Sequence, residues 1–322
     1  MPINRFVLNI AAKYVIIRSN YNERVCAVIY LESFSFAKAS QEEKFILNFP
    51  YLLEMQCYSH DNVYPFKIFP QKCFERAVFE PITVFYGRNG SGKSTGLNVI
   101  AEKLGILGSS PFNKTPYMRE YLKLCGYELV CNVERVPQNS RKITSDDVFD
   151  FLLDIRAINQ GVDRQREALF DEYYQTVKVD NAPLESLDGL SELKRRNEAR
   201  AVTKSKYVSR RLPKELDGKS NGESAYEYFT RKIEENAIYI LDEPENSLSA
   251  ELQIRLAQFL EDSARFYNCQ FIISTHSPFL LSMKNAKIYD LDATPVKVTP
   301  WTELESVRVY FEFFKQNEHR FK

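Results

Sequence analysis

Hydrophobic and polar positions alternate unevenly over the first part of the chain and become regular over the last hundred residues. There the pattern predicts a helix over 224–236, the apolar run AIYIL, a helix over 249–267, and the runs QFIIST and AKIYDLD. Short apolar runs rich in Ile, Phe and Tyr and bounded by polar residues predict buried strands. Strands that alternate with helices predict a mainly parallel sheet flanked by helices. Upstream, PITVF at 81–85 predicts a strand and STGLNVIAEKLG the helix after it. In residues 1–50, RVCAVIYLESFSF and KFILNF predict strands, and residues 51–81 add short β-like pieces, together an antiparallel β subdomain. YELVCNVERVP and SDDVFDFLLDI predict a strand and then a helix capped by Ser145 or Asp146. Residues 155–217 are polar, charge-dense and helical in propensity, with turn signals at DNAP and RRLP. The expected layout is a β-rich extension (1–50), a first lobe (51–154), a charged helical insertion (155–217) and a second lobe of the same domain (218–322).

Composition narrows the class without naming a chemistry. At 322 residues, 44% hydrophobic and 27% charged, the chain suits an ordinary globular protein with a substantial core. Lys and Arg number 43 and so do Asp and Glu, so no overall charge argues for nucleic acid. The six cysteines form no C-x-x-C pair, which disfavours zinc and suits reduced thiols in a cytoplasmic protein. FVLNIAAKYVII is too short and interrupted to span a bilayer, so no membrane association is expected.

Chemistry enters at FYGRNGSGKST, residues 85–95, which contains a complete G-x-x-x-x-G-K-S phosphate loop. Glycines let the backbone turn so that successive N–H groups of Gly87, Arg88, Asn89, Gly90, Ser91 and Gly92 point at one spot beside a helix N-terminus. Lys93 would reach the β- and γ-phosphates, Ser94 would ligate Mg²⁺, and Thr95 follows on the same turn. These residues predict a nucleoside triphosphate site. AIYILDEPE, residues 237–245, adds an apolar strand ending in Asp242 and Glu243. A carboxylate at a strand end beside the phosphate loop can hold Mg²⁺, and the next acid can act as general base toward water.

Taken together these residues resemble the ATP-binding-cassette (ABC) ATPases, in the soluble branch that includes the SMC and double-strand-break-repair enzymes. SNGES, at Ser220, Asn221, Gly222, Glu223 and Ser224, is similar to the signature sequence that in the family binds a γ-phosphate held by the opposite subunit. ENSLSA resembles the D-loop, and STHSP resembles the switch region, with His276 as a γ-phosphate contact. YGRNGSGKST, SNGES, LDEPENSLS, CQFIISTHSPFLL and YDLD are similar still more closely to small bacterial-type AAA/ABC ATPases, some of which act in anti-phage defence. The resemblance implies an α/β P-loop NTPase head of ABC type, ATP and Mg²⁺ as cofactors, and a homodimer with composite sites. SNGES departs from the transporter-like LSGGQ, and ENSLS lacks the usual transporter aspartate, which favours the soluble branch. For the Q-loop, which senses Mg²⁺ and γ-phosphate, Gln138 is one candidate and Ser145-Asp146-Asp147 compete.

Residues 194–214, KRRNEARAVTKSKYVSRRLPK, contain nine Lys or Arg and one Glu. Such a run could bind the backbone of DNA or RNA through counterion release, or be a solvated face or a contact to an acidic partner. Tyr64, Phe66 and Phe69 precede the phosphate loop, where an aromatic side chain could stack on adenine or simply pack in the core. The leading expectation is an ATP-hydrolysing dimeric switch or clamp in which Lys93, Glu243 and His276 do the chemistry. A regulatory sensor that hydrolyses slowly and controls a partner effector such as a nuclease is the alternative, and a transporter subunit fits least.

Overall fold

The computed structural model describes residues 15–16, 26–47, 63–110, 112, 114–178, 204–209, 211–212 and 220–321. The chain divides into two compact units, one formed by residues 1–148 with 221–322 and the other by residues 149–220.

In the larger unit the strands are β1 (Val15–Ile16), β2 (Cys26–Ala27), β3 (Leu31–Ser35), β4 (Arg76–Val78), β5 (Ile82–Tyr86), β6 (Gly126–Leu129), β7 (Arg141–Thr144), β8 (Ala237–Asp242), β9 (Cys269–Ser274), β10 (Lys287–Asp290) and β11 (Lys297–Val298). Helices α1 (Ala39–Leu47), α2 (Ile68–Gln71), α3 (Lys93–Leu104) and α4 (Tyr117–Leu124) precede the long α5 (Ser145–Lys178), which continues into the smaller unit. After the short α6 (Lys204–Ser209) come α7 (Asn221–Lys232), α8 (Ala250–Phe266), α9 (Pro278–Leu281) and α10 (Glu305–Gln316).

A six-stranded sheet in the order β11-β10-β5-β9-β8-β7 is parallel except for β11. Successive side chains on β8 and β9 serve opposite faces. Ile238, Ile240 and Ile272 join a cluster with Leu97 and Val99 of α3, while Tyr239 stacks on Phe271 with ring centroids 5.7 Å apart. Both faces are therefore covered, which is why these strands read as unbroken apolar runs. Truncating Ile240 to Ala would cost about 2–5 kcal/mol.

A three-stranded antiparallel sheet, ordered β4-β3-β6, forms the expected β subdomain. Gln270 of β9 ties it to the main sheet: its amide oxygen accepts from the backbone N–H of Leu31 at 2.8 Å, and its amide nitrogen donates to Leu31 O at 2.9 Å. β3 sits at the centre of this three-stranded sheet.

Several local readings change. KFILNF was expected as a strand, yet residues up to Leu47 form the end of α1, and residues 48–49 lie outside the described part. Gln41 Oε1 accepts from Lys38 N–H at 3.0 Å, which satisfies a donor at the helix start and lets Phe45 stack on Phe66 at 4.8 Å. The cap of α5 is Thr144 rather than Ser145 or Asp146. Thr144 Oγ1 accepts from Asp147 N–H at 3.2 Å while Asp147 Oδ2 accepts from Thr144 N–H at 2.7 Å, a reciprocal capping box. β7 is a strand that the polar-looking RKIT concealed, and α7 begins at Asn221 rather than at residue 224. Among the described residues no helix is long and apolar enough to cross a membrane.

In the smaller unit, Tyr207 and Val208 are buried against Leu169, Phe170, Tyr173 and Leu212. The Arg211 guanidinium lies 3.9 Å from the Tyr207 ring centroid and 4.0 Å from Glu172, so this member of the basic run is engaged in holding α6 on α5. Most of the run, including Arg195 and Arg196, lies outside the described residues.

Glu42 of α1 supports the loop ahead of the phosphate site, its Oε2 accepting from Lys67 N–H at 2.6 Å. Burial raises its carboxyl to about 7. Because the folded form holds the proton more tightly than the unfolded chain, stability associated with this group is full at low pH and falls as pH rises through about 7. Glu42→Gln should therefore raise the melting temperature at pH 8 and leave it unchanged at pH 4, by differential scanning fluorimetry.

Candidate nucleotide site

The parallel strands bring their C-terminal ends to one edge of the sheet, the place where such folds bind ligands. Register aligns them: Phe85 pairs with Ser274, Ser274 with Asp242, and Asp242 with Thr144. From these ends leave the phosphate loop, the two acids, the switch loop and the start of α5.

Two glycines of the loop have left-handed backbone, Gly90 at φ 80° and Gly92 at φ 93°. Gly92 also has no room for a side chain, since a Cβ there would lie 2.9 Å from Ile68 Cγ2. It sits at the N-terminus of α3 with no side-chain cap, which leaves the first N–H groups of the helix available to an anion. The start of the loop is clamped from β10: the Asp292 carboxylate accepts from Arg88 N–H at 3.0 and 2.8 Å, and the Arg88 side chain pairs with Glu305 at 2.5 Å.

Lys93 is buried, with 4% of its side chain exposed, and its Nζ donates to Gly87 O at 2.8 Å. The same ammonium lies 2.7 Å from His276 Nε2 and 3.8 Å from Glu243 Oε1. His276 Nε2 is in turn 3.5 Å from Glu243 Oε1. Burial lowers the Lys93 pKa, against the opposing pull of Glu243 and Asp242. The hydrogen bond with His276 is the main cause that holds Glu243 below the usual carboxylate range.

Ser94 Oγ donates to Asp242 Oδ1 at 3.0 Å, and the buried Ser274 hydroxyl donates to the same oxygen. Burial pushes the Asp242 pKa up, while these two hydroxyls draw it down. A cavity of about 660 Å³ is lined by Ser94, Asp242, Glu243, Lys142, Ser145 and Asp146, with Tyr64 also on its wall. A smaller space of about 400 Å³ is lined by Asn89, Gly90, Gly92, Lys93 and Thr95, and both share Ser94 and Glu243.

These features fit a magnesium nucleotide. The Ser91 hydroxyl is buried without a hydrogen-bond partner, beside a buried ammonium and an uncapped helix start. Among the described residues no group of three or more His, Cys, Asp or Glu could hold a metal. A single Ser–Asp pair suits Mg²⁺, which keeps most of its shell as water and phosphate oxygen.

Geometry separates the remaining candidates. Gln138 is exposed on a turn and lines a different recess, with Leu104, Val136, Tyr228 and Lys232. Ser145 and Asp146, its competitors, border the acids directly. Phe66 and Phe69 are buried in the core, whereas Tyr64 reaches the cavity wall. Ser220, Asn221 and Glu223 are exposed at the start of α7, and Gly222 faces the turn after the acids, where a Cβ would lie 2.9 Å from Leu252 and 3.4 Å from Ser247 O. Ser274, Asp292 and Glu245 were missed as site residues. All three stand within quoted motifs that carried no signal for the groups they hold, Ser274 at the very end of the apolar strand β9.

Residues 210–282 match the family described as "AAA domain, putative AbiEii toxin, Type IV TA system", a span that takes in the signature-like segment, both acids and His276. The phosphate-loop motif sits between β5 and α3 of a mainly parallel α/β sheet. Solved structures to which this chain is similar include the SMC head domain from Thermotoga maritima, at 15% identity and TM-score 0.38, covering 84% of this chain and 99% of that one. The post-hydrolysis dimer of the ATP-binding cassette MJ0796 bound to ADP and Pi is 16% identical with TM-score 0.33, covering 71% and 90%. The Smc head domain of Pyrococcus furiosus bound to the C-terminal domain of ScpA is 15% identical with TM-score 0.35, covering 74% and 94%. No curated protein matches the chain.

Gly92→Ala should abolish binding of nucleotide at this loop, since it adds backbone strain of about 1–3 kcal/mol and a clash with Ile68. Gly105→Ala, at φ 69° with open space around it, should lose stability but bind a fluorescent ATP analogue as wild type does.

Proposed function

We propose that the protein binds Mg-ATP and hydrolyses it. The observation that carries this reading is the convergence of Lys93, His276 and Glu243 within 3.8 Å of one another beside the Ser94–Asp242 pair. With nucleotide present, the Lys93 ammonium would turn from the imidazole and carboxylate to the β- and γ-phosphates, and His276 would donate to the γ-phosphate. Glu243, released from both, is then free to orient water for in-line attack. Ser94 and Asp242 are the residues that would hold Mg²⁺, which supplies charge neutralisation across the β- and γ-phosphates.

The active unit in this reading is a homodimer. Among the described residues no arginine lines either cavity of the phosphate site, and the N-terminus of α7, at the exposed Asn221, would turn its positive dipole to a phosphate of a second copy. A second reading keeps the ATP site but makes turnover slow, with nucleotide state controlling a partner effector such as a nuclease. The family description matched by residues 210–282 names a toxin of a toxin–antitoxin system, and this favours an effector-linked, defence-type role. DNA or RNA binding through 194–214 has less support, because Arg211 is engaged with Tyr207 and Glu172.

Glu243→Gln should lower kcat by at least ~100-fold, the scale of a lost general base, and retain ATP binding. In sedimentation velocity with Mg-ATP at micromolar concentration the variant should run as a dimer. A strictly monomeric profile would exclude the composite site, and wild-type turnover too slow to be reduced by the substitution would favour the effector-control reading.

A further inference from the structure

Two residues beyond Glu243, the chain turns through Pro244 to Glu245, a stretch made tight by left-handed backbone at Glu243 (φ 49°) and Ser247 (φ 73°). The Glu245 carboxylate reaches the backbone of the switch segment. Its Oε1 accepts from His276 N–H at 2.6 Å and from Ser277 N–H at 3.2 Å. The other side of that segment is held too: Ser277 Oγ donates to Gln253 Oε1 at 2.7 Å, and Gln253 Nε2 donates to Leu248 O at 2.9 Å. β9 ends at Ser274, so sheet hydrogen bonding no longer dictates where the next residues go.

The His276 side chain is 35% exposed, so packing alone does not fix its ring. Its imidazole nevertheless lies within 2.7 Å of Lys93 Nζ and 3.5 Å of Glu243 Oε1. A carboxylate that accepts two backbone N–H groups makes charge-assisted bonds, stronger and more directional than neutral ones. Burial raises the Glu245 pKa and the His276 N–H pulls it back.

From these contacts we infer that Glu245 is a positioning residue, whose carboxylate fixes the backbone of His276 and so aims the imidazole at the Lys93–Glu243 pair. The inference rests on the ATPase reading of the site, and it makes the turn after the two acids responsible for the geometry of the switch histidine. Glu245 acts on the phosphates only through His276. A misplacement of the imidazole by an ångström or so is expected to cost on the order of 100-fold in rate without a matching loss of binding.

The test compares Glu245→Ala, Glu245→Gln and Glu245→Asp in the full chain. Glu245→Ala should lower kcat by roughly 100-fold with KM for ATP within about threefold of wild type. Glu245→Gln keeps an acceptor in place and should recover to within about fivefold of the wild-type rate. Imidazole signals in NMR give a readout that does not need turnover. The chain has three histidines, so the His276 signal is assigned by its loss in His276→Gln. That signal should move in Glu245→Ala and stay in place in Glu245→Gln. Should Glu245→Ala fail to fold, Glu245→Asp, which withdraws the carboxylate by one methylene, should show the same loss and the same shift. Wild-type rate with an unmoved His276 signal in Glu245→Ala, or in Glu245→Asp where it replaces it, would overturn the inference, as would Glu245→Gln impaired as much as Glu245→Ala. Wild-type protein that hydrolyses no ATP would instead overturn the parent reading, and the NMR arm would still decide the role of Glu245.

Discussion

The buried ammonium of Lys93 is the interaction on which the site depends. Its charge is removed from water with no carboxylate nearer than 3.8 Å, and the His276 imidazole and a backbone carbonyl are its closest partners. At about 4 Å a full opposite charge is worth roughly 4 kcal/mol in a protein-like dielectric, so Glu243 offsets only part of the desolvation. An arriving polyphosphate would offset the remainder, and every neighbouring feature is arranged so that it can. Gly92 removes the side chain that would fill the space, the helix start is left uncapped, and Ser91 holds a hydroxyl with no partner.

That arrangement is possible because the parallel sheet ends its strands in one row. Phe85, Ser274, Asp242 and Thr144 lie in register, so four loops leave the sheet at one level. The loops are then tied by side chain to backbone: Asp292 to Arg88, Ser274 to Glu243 N–H at 3.1 Å, and Glu245 to the switch segment. Buried acceptors bonded to backbone donors are costly to remove, since each leaves a donor unsatisfied. The positions of the side chains at this edge are thus set by polar contacts standing on an apolar sheet.

Much of this was legible in the chain itself. The phosphate loop, Asp242, Glu243 and His276 announce themselves because their chemistry requires fixed residue types at short spacing, and the covered strands β5, β8 and β9 announce themselves by unbroken apolar runs. Strand β7 escaped because three of its four residues are polar: the aliphatic part of Lys142 is buried while its ammonium reaches Asn98, a partner 44 residues away. KFILNF escaped because its apolar run carries no period, and only stacking of Phe45 on Phe66 decides for helix. Gln138 had the right residue type and followed a strand, but the strand that ends beside Asp242 is the next one, β7.

By itself, then, the sequence determined the fold class and the motifs from which the proposed site is built, since both rest on residues close in the chain: glycines that permit a turn, acids that end a strand, a histidine after another. Tertiary structure alone decided which side chains meet across the sheet. Lys93 and His276 are 183 positions apart, and Arg88 and Asp292 are 204 apart. No periodicity or spacing carries such distances; they are set when strands of unequal separation pack side by side and bring their ends to one edge.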